Sequence, residues 1–328
     1  MGAPVVSYRP AKVRELRVAR VQRSGVRKSR RLTRALRGAL LAPAYWLLAL
    51  FAGAPGLSIQ LMAASLGVRL LLGPGGRGQS KRAFRLIFAP LDSVRYFELQ
   101  TIWKWLPSNH GYRYLDISSP RLFPILLVDK GRSPRAVMVN PDMRDLAETN
   151  QFSALKTLSG RCLLTACLSE KPPFLPESFD VITSLSVIEH IPEDTTAVRA
   201  LWGLLRPGGR LLLTVPCGPE ELEEYIDQDV YGLLGPSAHG MWFWQRFYGP
   251  ESLAHRIFTV TGSPLRMAVY GERTRGCLAE NALEKWTDED YPYWREPYLM
   301  ATRFRYYDSL ADMPGQGVVA MEFRKDSA

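Results

Sequence analysis

The chain has only four cysteines in 328 residues, Cys162, Cys167, Cys217 and Cys277, and no two of them are spaced as CxxC. That excludes a zinc ribbon and a disulfide framework, and makes a reducing compartment the expected setting. Acidic residues are nearly missing from the start: residues 1–37 hold twelve Lys or Arg and one acid, Glu15. The net charge of +10 therefore belongs to this tail, since residues 38–328 hold 30 basic and 31 acidic residues. A near-neutral body argues against a basic groove, so no nucleic-acid partner is expected. Charge of either sign is absent from the 31 residues between Arg37 and Arg69. Pro43, Gly53, Pro55 and Gly56 interrupt that stretch, so it lacks one uninterrupted apolar run. Hydrophobic residues at 46% and charged residues at 23% exclude a disordered, collagen-like or polytopic membrane chain.

Three regions follow from these composition shifts. Residues 1–37 read as a basic tail, disordered or helical. Residues 38–80 read as an apolar helical segment ending in the linker GPGGRGQS. Two readings of residues 38–72 stand together: a pair of helices packed on the main domain, or a shallow hairpin at a membrane surface with both Arg-rich flanks on the cytoplasmic side. A membrane surface touched by residues 1–72 is thus a candidate partner. The expected location is the cytoplasm, at the inner face of a membrane. Organellar targeting by the Arg-rich tail is the alternative. Residues 81–328 read as the main domain.

From residue 112 on, short apolar runs alternate with helical patterns, the mark of a parallel α/β sheet with helices on both faces. Strands are expected at Tyr112–Asp116, Ala136–Asn140, Arg161–Thr165, Phe179–Ser184 and Arg210–Val215, and later at Leu265–Tyr270 and Val318–Phe323. Glu193–Leu205 reads as a helix, with Pro192 before it and acids in its first turn. Arg206-Pro-Gly-Gly209 reads as a turn.

The most informative block runs from Phe179 to Pro216, FDVITSLSVIEHIPEDTTAVRALWGLLRPGGRLLLTVP. In open α/β sheets ligands bind beyond the carboxyl ends of the strands, which sets Ser184, Ser186, Glu189 and His190 at the mouth of a crevice. The block resembles class I S-adenosylmethionine-dependent methyltransferases, in the branch with an FD strand, S-x-x-EHI, a helix and LxPGGxLxLxVP. Leu115-Asp116, the PESFD segment (176–180) and WFWQRFY (242–248) agree with it. The resemblance covers about residues 86–325. It implies a Rossmann-like, mostly parallel sheet with an antiparallel last strand, and S-adenosylmethionine as cofactor.

Two features depart from that family. Its first loop is Asp-x-Gly-x-Gly-x-Gly, whose glycines admit the cofactor closely; here stands Asp116-Ile-Ser-Ser-Pro-Arg121. After the second strand an acid normally accepts both ribose hydroxyls; here stand Asn140, Pro141 and Asp142. The cofactor-binding residues implied by the resemblance and by the crevice are Asp116, Ser118, Ser119, Asn140, Asp142, Ser184 and Ser186. Ubiquinone-pathway O-methyltransferases, similar over this segment, carry Glu-x-x-Glu-His as metal ligands. Ser186 occupies the first of those positions here, so no metal is expected.

Methyl transfer is chiefly alignment, and a hydroxyl acceptor also needs a base. His190 is the first catalytic candidate because it titrates near neutrality, and Glu189 beside it would orient it. Inserts at about 218–256 and 273–315 read as lids, with His239, Arg246 and Tyr248 as candidate substrate-binding residues among the aromatics. The expected function is O-methylation of a saccharide, lipid-linked or other small hydroxyl acceptor. The alternative is a catalytically inactive methyltransferase-like scaffold at a membrane, favoured by the missing glycines and acids.

Overall fold

The computed structural model describes residues 12–16, 28–73, 76–108, 111–230, 232, 235–237, 240–288 and 291–327. In chain order the strands are β1 (Lys12–Leu16), β2 (Tyr114–Ile117), β3 (Ala136–Val139), β4 (Cys162–Thr165), β5 (Phe179–Leu185), β6 (Leu205–Cys217), β7 (Leu222–Ile226), β8 (Trp242–Phe247), β9 (Arg266–Glu272), β10 (Phe304–Tyr307) and β11 (Gly317–Arg324). The helices are α1 (Lys28–Phe51), α2 (Leu57–Leu72), α3 (Ser80–Phe88), α4 (Arg95–Trp105), α5 (Leu122–Asp129), α6 (Met143–Asn150) and α7 (Asp194–Leu204). Then come α8 (Pro250–Leu253) and α9 (Thr259–Thr261), joined through a π-helical turn, followed by α10 (Cys277–Thr287) and α11 (Glu296–Arg303).

Eight strands form one mixed sheet in the order β10-β9-β11-β6-β5-β2-β3-β4. Strands β2 to β6 run parallel, and β11 lies antiparallel between β6 and β9. Strand β5 is buried along its whole length, as an apolar run covered on both faces must be. Two apolar cores follow, one on each face. One holds Leu115, Ile182, Val198 and Leu213. The other holds Phe97, Leu126, Val181 and Leu212. The chain thus has the α/β, Rossmann-like, mostly parallel sheet that the resemblance implied, antiparallel last strand included.

Local differences from the sequence reading have physical causes. The RPGG turn is a bulge within β6: Phe179 pairs with Leu205 and Val181 with Arg210, so four residues face one. Gly208 turns there at φ +75, and a Cβ on Gly209 would sit 2.8 Å from the Arg206 carbonyl. Part of the basic tail is neither disordered nor helical. Strand β1 pairs with β7 and, through it, with β8 in a three-stranded sheet. Its Lys12 and Arg14 form ion pairs with Glu220 and Glu224, so this tail segment finds its acids on β7 and just before it, some 200 residues away. Strand β10, at the end of the second insert, escaped the sequence reading.

The apolar segment 38–72 forms two helices. Among the described residues no helix is long and apolar enough to cross a membrane. Helix α2 buries Ile59, Ala63, Leu66 and Leu70 in the main core, and each buried Leu or Ile stabilises by about 1.5–3 kcal/mol. Gly67 permits close contact with α3, since a Cβ there would lie 2.8 Å from the Ala83 carbonyl. The buried Gln60 donates to the Ile87 carbonyl at 2.7 Å and accepts from the Tyr96 hydroxyl at 2.7 Å. Helices α2, α3 and α4 are therefore part of the domain core, α2 lying upstream of the boundary composition suggests.

Candidate functional site

The sheet reverses its order between β2 and β5, and a cavity of about 350 Å³ opens there at the carboxyl ends of the strands. Its walls are Ser118, Ser119, Pro120, Arg121 and Leu122 after β2, Asn140 and Asp145 after β3, Ser186 after β5, and Pro90, Leu91 and Arg95 from the segment leading into α4. The volume lies within the range of small-molecule sites. The place is the switch point where open α/β sheets bind ligands.

The loop after β2 is held from both sides. The Ser118 N–H donates to the Val139 carbonyl at 2.8 Å, and its hydroxyl donates to the same oxygen at 3.0 Å. The Ser119 hydroxyl accepts from the Leu185 N–H at 3.0 Å. Ser118 adopts φ +50, a left-handed conformation that glycine takes freely and a serine takes at some cost. The loop thus keeps a glycine-type turn with serine side chains bonded to neighbouring strands. Beneath it Asp116 is buried, accepting from Thr183 Oγ1 at 2.8 Å and the Tyr114 hydroxyl at 3.2 Å. Burial pushes its carboxyl up to about 6, with the Thr183, Ser119 and Tyr114 hydrogen bonds acting against that rise.

After β3, Asp142 is the N-cap of α6, its Oδ1 accepting from the Arg144 N–H at 2.8 Å. That cap places Asp145 three residues on, in the first turn, where an acid points back toward the chain entering the helix. Asn140 Nδ2 donates to Asp145 Oδ2 at 3.1 Å, and Arg121 forms an ion pair with Asp145. Burial raises the Asp145 carboxyl, the Arg121 charge opposing it. The carboxylate facing the cavity after β3 is therefore Asp145. Asp142 is half exposed and engaged by Arg144. The sequence reading missed Asp145; the D-x-x-D spacing from the N-cap Asp142 is the signal that could have found it.

After β5, Ser186 takes φ +51 and its N–H donates to the Thr214 carbonyl at 2.9 Å. Its hydroxyl donates to Glu98, a fully buried carboxylate of α4. Burial raises the Glu98 carboxyl; Arg95, 3.7 Å away, and Ser186 draw it back. Glu189 is also buried, with Oε2 lacking a hydrogen-bond partner. Burial, and after it the nearby Glu98, push Glu189 up to about 8, so it is protonated at neutral pH. His190 Nδ1 lies 2.7 Å from the Trp244 carbonyl, which can only accept, so Nδ1 carries the proton. Burial drives this imidazole down to about 4 and keeps it neutral. Its Nε2 lies 3.8 Å from Glu189 Oε1.

Of the residues singled out from sequence, Ser118, Ser119, Asn140 and Ser186 line the cavity; Asp116, Ser184, Glu189 and His190 are not among its lining residues. His239 lies outside the described residues. Arg246 and Tyr248 are 3% and 0% exposed and sit in a buried ion network, outside the lining of the cavity. Asp194, at the start of α7, accepts from Arg246, from the Tyr248 hydroxyl at 2.7 Å and from Arg256 at 3.2 Å. Arg246 also meets Glu223 at 2.7 Å and Glu221 at 3.4 Å. A buried guanidinium needs this many acids around it; Glu223 of β7 and Glu221 just before that strand supply two. Among the described residues no group of three or more His, Cys, Asp or Glu is placed to hold a metal ion.

Residues 122–213 match the methyltransferase domain family. A ubiquinone biosynthesis O-methyltransferase of Pseudomonas fluorescens is 28% identical over 90 residues, 27% of this chain and 34% of that protein. The corresponding protein of Pseudomonas putida is 30% identical over 87 residues, 26% of this chain and 32% of its own. The chain thus spans about a third of the length of the curated relatives it matches. Among solved structures, geranyl diphosphate C-methyltransferase from Streptomyces coelicolor A3(2), in complex with Mg2+, geranyl diphosphate and S-adenosyl-L-homocysteine, aligns over 70% of this chain and 79% of its own at 12% identity and a TM-score of 0.47. Residues 122–213 thus carry a methyltransferase-domain match on an α/β, Rossmann-like sheet.

Proposed function

We propose that the protein transfers a methyl group from S-adenosylmethionine to a hydroxyl oxygen of a small acceptor, a saccharide or lipid-linked molecule. The observation that carries this reading is the cavity at the switch point, with Asp145 and the serine loop on one side and Arg95 and Ser186 on the other. Its volume and polar lining fit the cofactor, and Asp145 supplies the acid that the end of β3 lacks. Bound there, the cofactor would supply a methyl carbon on a sulfonium, which needs alignment more than activation. Asp145 would accept the ribose hydroxyls, with Asn140 and Arg121 fixing its carboxylate. Ser118 and Ser119 would hold the amino-acid end through a loop already braced by β3 and β5.

A hydroxyl acceptor must lose its proton as its oxygen gains the methyl carbon. Ser186 stands on the cavity wall, with Glu98 bonded behind it. This pair would take that proton, and Glu189 and neutral His190 shape the field around it. Oxygen as the acceptor atom also accords with the two O-methyltransferases matched over about a quarter of the chain.

The test is calorimetric titration of the full-length protein with S-adenosylmethionine, beside Asp145→Asn and Ser186→Ala. Micromolar binding is expected, weakened at least tenfold in Asp145→Asn (about 1.4 kcal/mol) and nearly unchanged in Ser186→Ala. No binding at millimolar cofactor by a folded protein would sink this reading and favour the scaffold.

A further inference from the structure

We propose that helices α1 and α2 form a docking surface for an anionic lipid bilayer, with α1 lying in the plane of the interface. Helix α1 touches the domain along a narrow line only. Gly38, Ala42 and Ala49 are buried on that line, and the Tyr45 ring meets Tyr298 of α11 edge-on at 5.9 Å. The opposite face carries Leu36, Leu40, Leu47 and Phe51, which are 57%, 78%, 56% and 84% exposed. At about 100° per residue those four fall within roughly 60° of one another around the helix. An amphipathic surface helix presents polar residues there; α1 presents leucine and phenylalanine to the outside. Helix α2 repeats the pattern, leaving Leu61, Val68 and Leu72 exposed above its buried face. An apolar exposure of this extent marks an interaction surface.

Charge decides what covers it. Between Glu15 and Asp92 there is no acidic residue, and there are fourteen Lys or Arg. Helix α1 itself begins with Lys28, Arg30, Arg31, Arg34 and Arg37 before its apolar part. Apolar residues on one helix face combined with a basic, acid-free flank suit anionic headgroups over an acyl layer. The apolar part of α1, residues 38–51, extends about 21 Å at 1.5 Å per residue, short of the roughly 30 Å of a bilayer core. This length fits a helix that lies on the membrane. The proposal does not depend on the acceptor or on cofactor binding.

The experiment is flotation of the full-length protein with vesicles of phosphatidylcholine alone and with roughly one third phosphatidylglycerol. The variant is L40E/L47E/F51E, whose exposed positions leave the core untouched; its circular dichroism and melting midpoint should match the parent. The parent should float with the anionic vesicles, not the neutral ones, and lose binding as salt rises. The triple variant should bind at least about tenfold more weakly. Failure to float with anionic vesicles, or equal flotation of the folded variant, overturns the proposal. A concentration-dependent dimer by light scattering that the variant abolishes, without flotation, would overturn it by assigning the face to a second copy of the chain.

Discussion

Glu189 provides a quantitative test of the buried site. Its carboxyl is displaced from 4.5 to about 8, first by burial and then by Glu98. The folded state therefore holds a proton that the unfolded chain releases near pH 4.5. Stability from this group is fully present below 4.5 and is lost as pH rises toward 8. At about 1.4 kcal/mol per pH unit, the loss between pH 5 and 7.5 comes to roughly 3 kcal/mol. Glu189→Gln keeps the shape and removes the titration. The stability of the variant minus that of the parent, from urea unfolding across this range, should therefore grow by roughly 3 kcal/mol in favour of Gln. Parallel curves for the two proteins would refute the burial of this carboxyl.

His190 has the opposite sign. Its imidazole is lowered from 6.5 to about 4, so its contribution is present above 6.5 and lost as pH falls toward 4; its ring resonances by NMR should stay those of a neutral imidazole down to pH 5. Arg246→Met leaves Asp194, buried at the start of α7, without one of its cations. Its expected cost is about 3–5 kcal/mol by chemical unfolding, and a cost below 1 kcal/mol would show the network to be dispensable. Ser118→Gly relieves a left-handed serine but removes its bond to Val139, and S-adenosylmethionine affinity should change less than about fivefold by calorimetry.

Much of the fold was legible because its signals are local. Apolar runs between polar breaks located β2 to β6, and the helix α7 followed from Pro192 and the acids of its first turn. RPGG announced a turn; that it is a bulge within β6 depended on the pairing of β6 with β5, which lies outside the motif. Around the cavity, Ser118, Ser119, Asn140 and Ser186 were legible because each stands within a few residues of a strand end. Asp145 was within reach through capping geometry. Asp142, the nearer acid, was the more obvious reading, and its side chain is taken by its own helix.

The remaining features rest on partners far apart in sequence. Glu98 stands behind Ser186 because α4 packs across the strand ends, 88 residues away along the chain. Arg246 and Tyr248 sit in a segment whose aromatics suit a pocket, and Asp194 of α7 together with Glu221 and Glu223 around the start of β7 close around Arg246. Lys12 and Arg14 of the basic tail met their acids on β7 and just before it. Sequence by itself determined strands β2 to β6, the turn at RPGG and the polar residues at the strand ends, because periodicity and turn chemistry act over a few residues. Tertiary structure alone decided which charged side chains are buried and which stand at the cavity, because burial and ion pairing depend on what distant segments bring into contact.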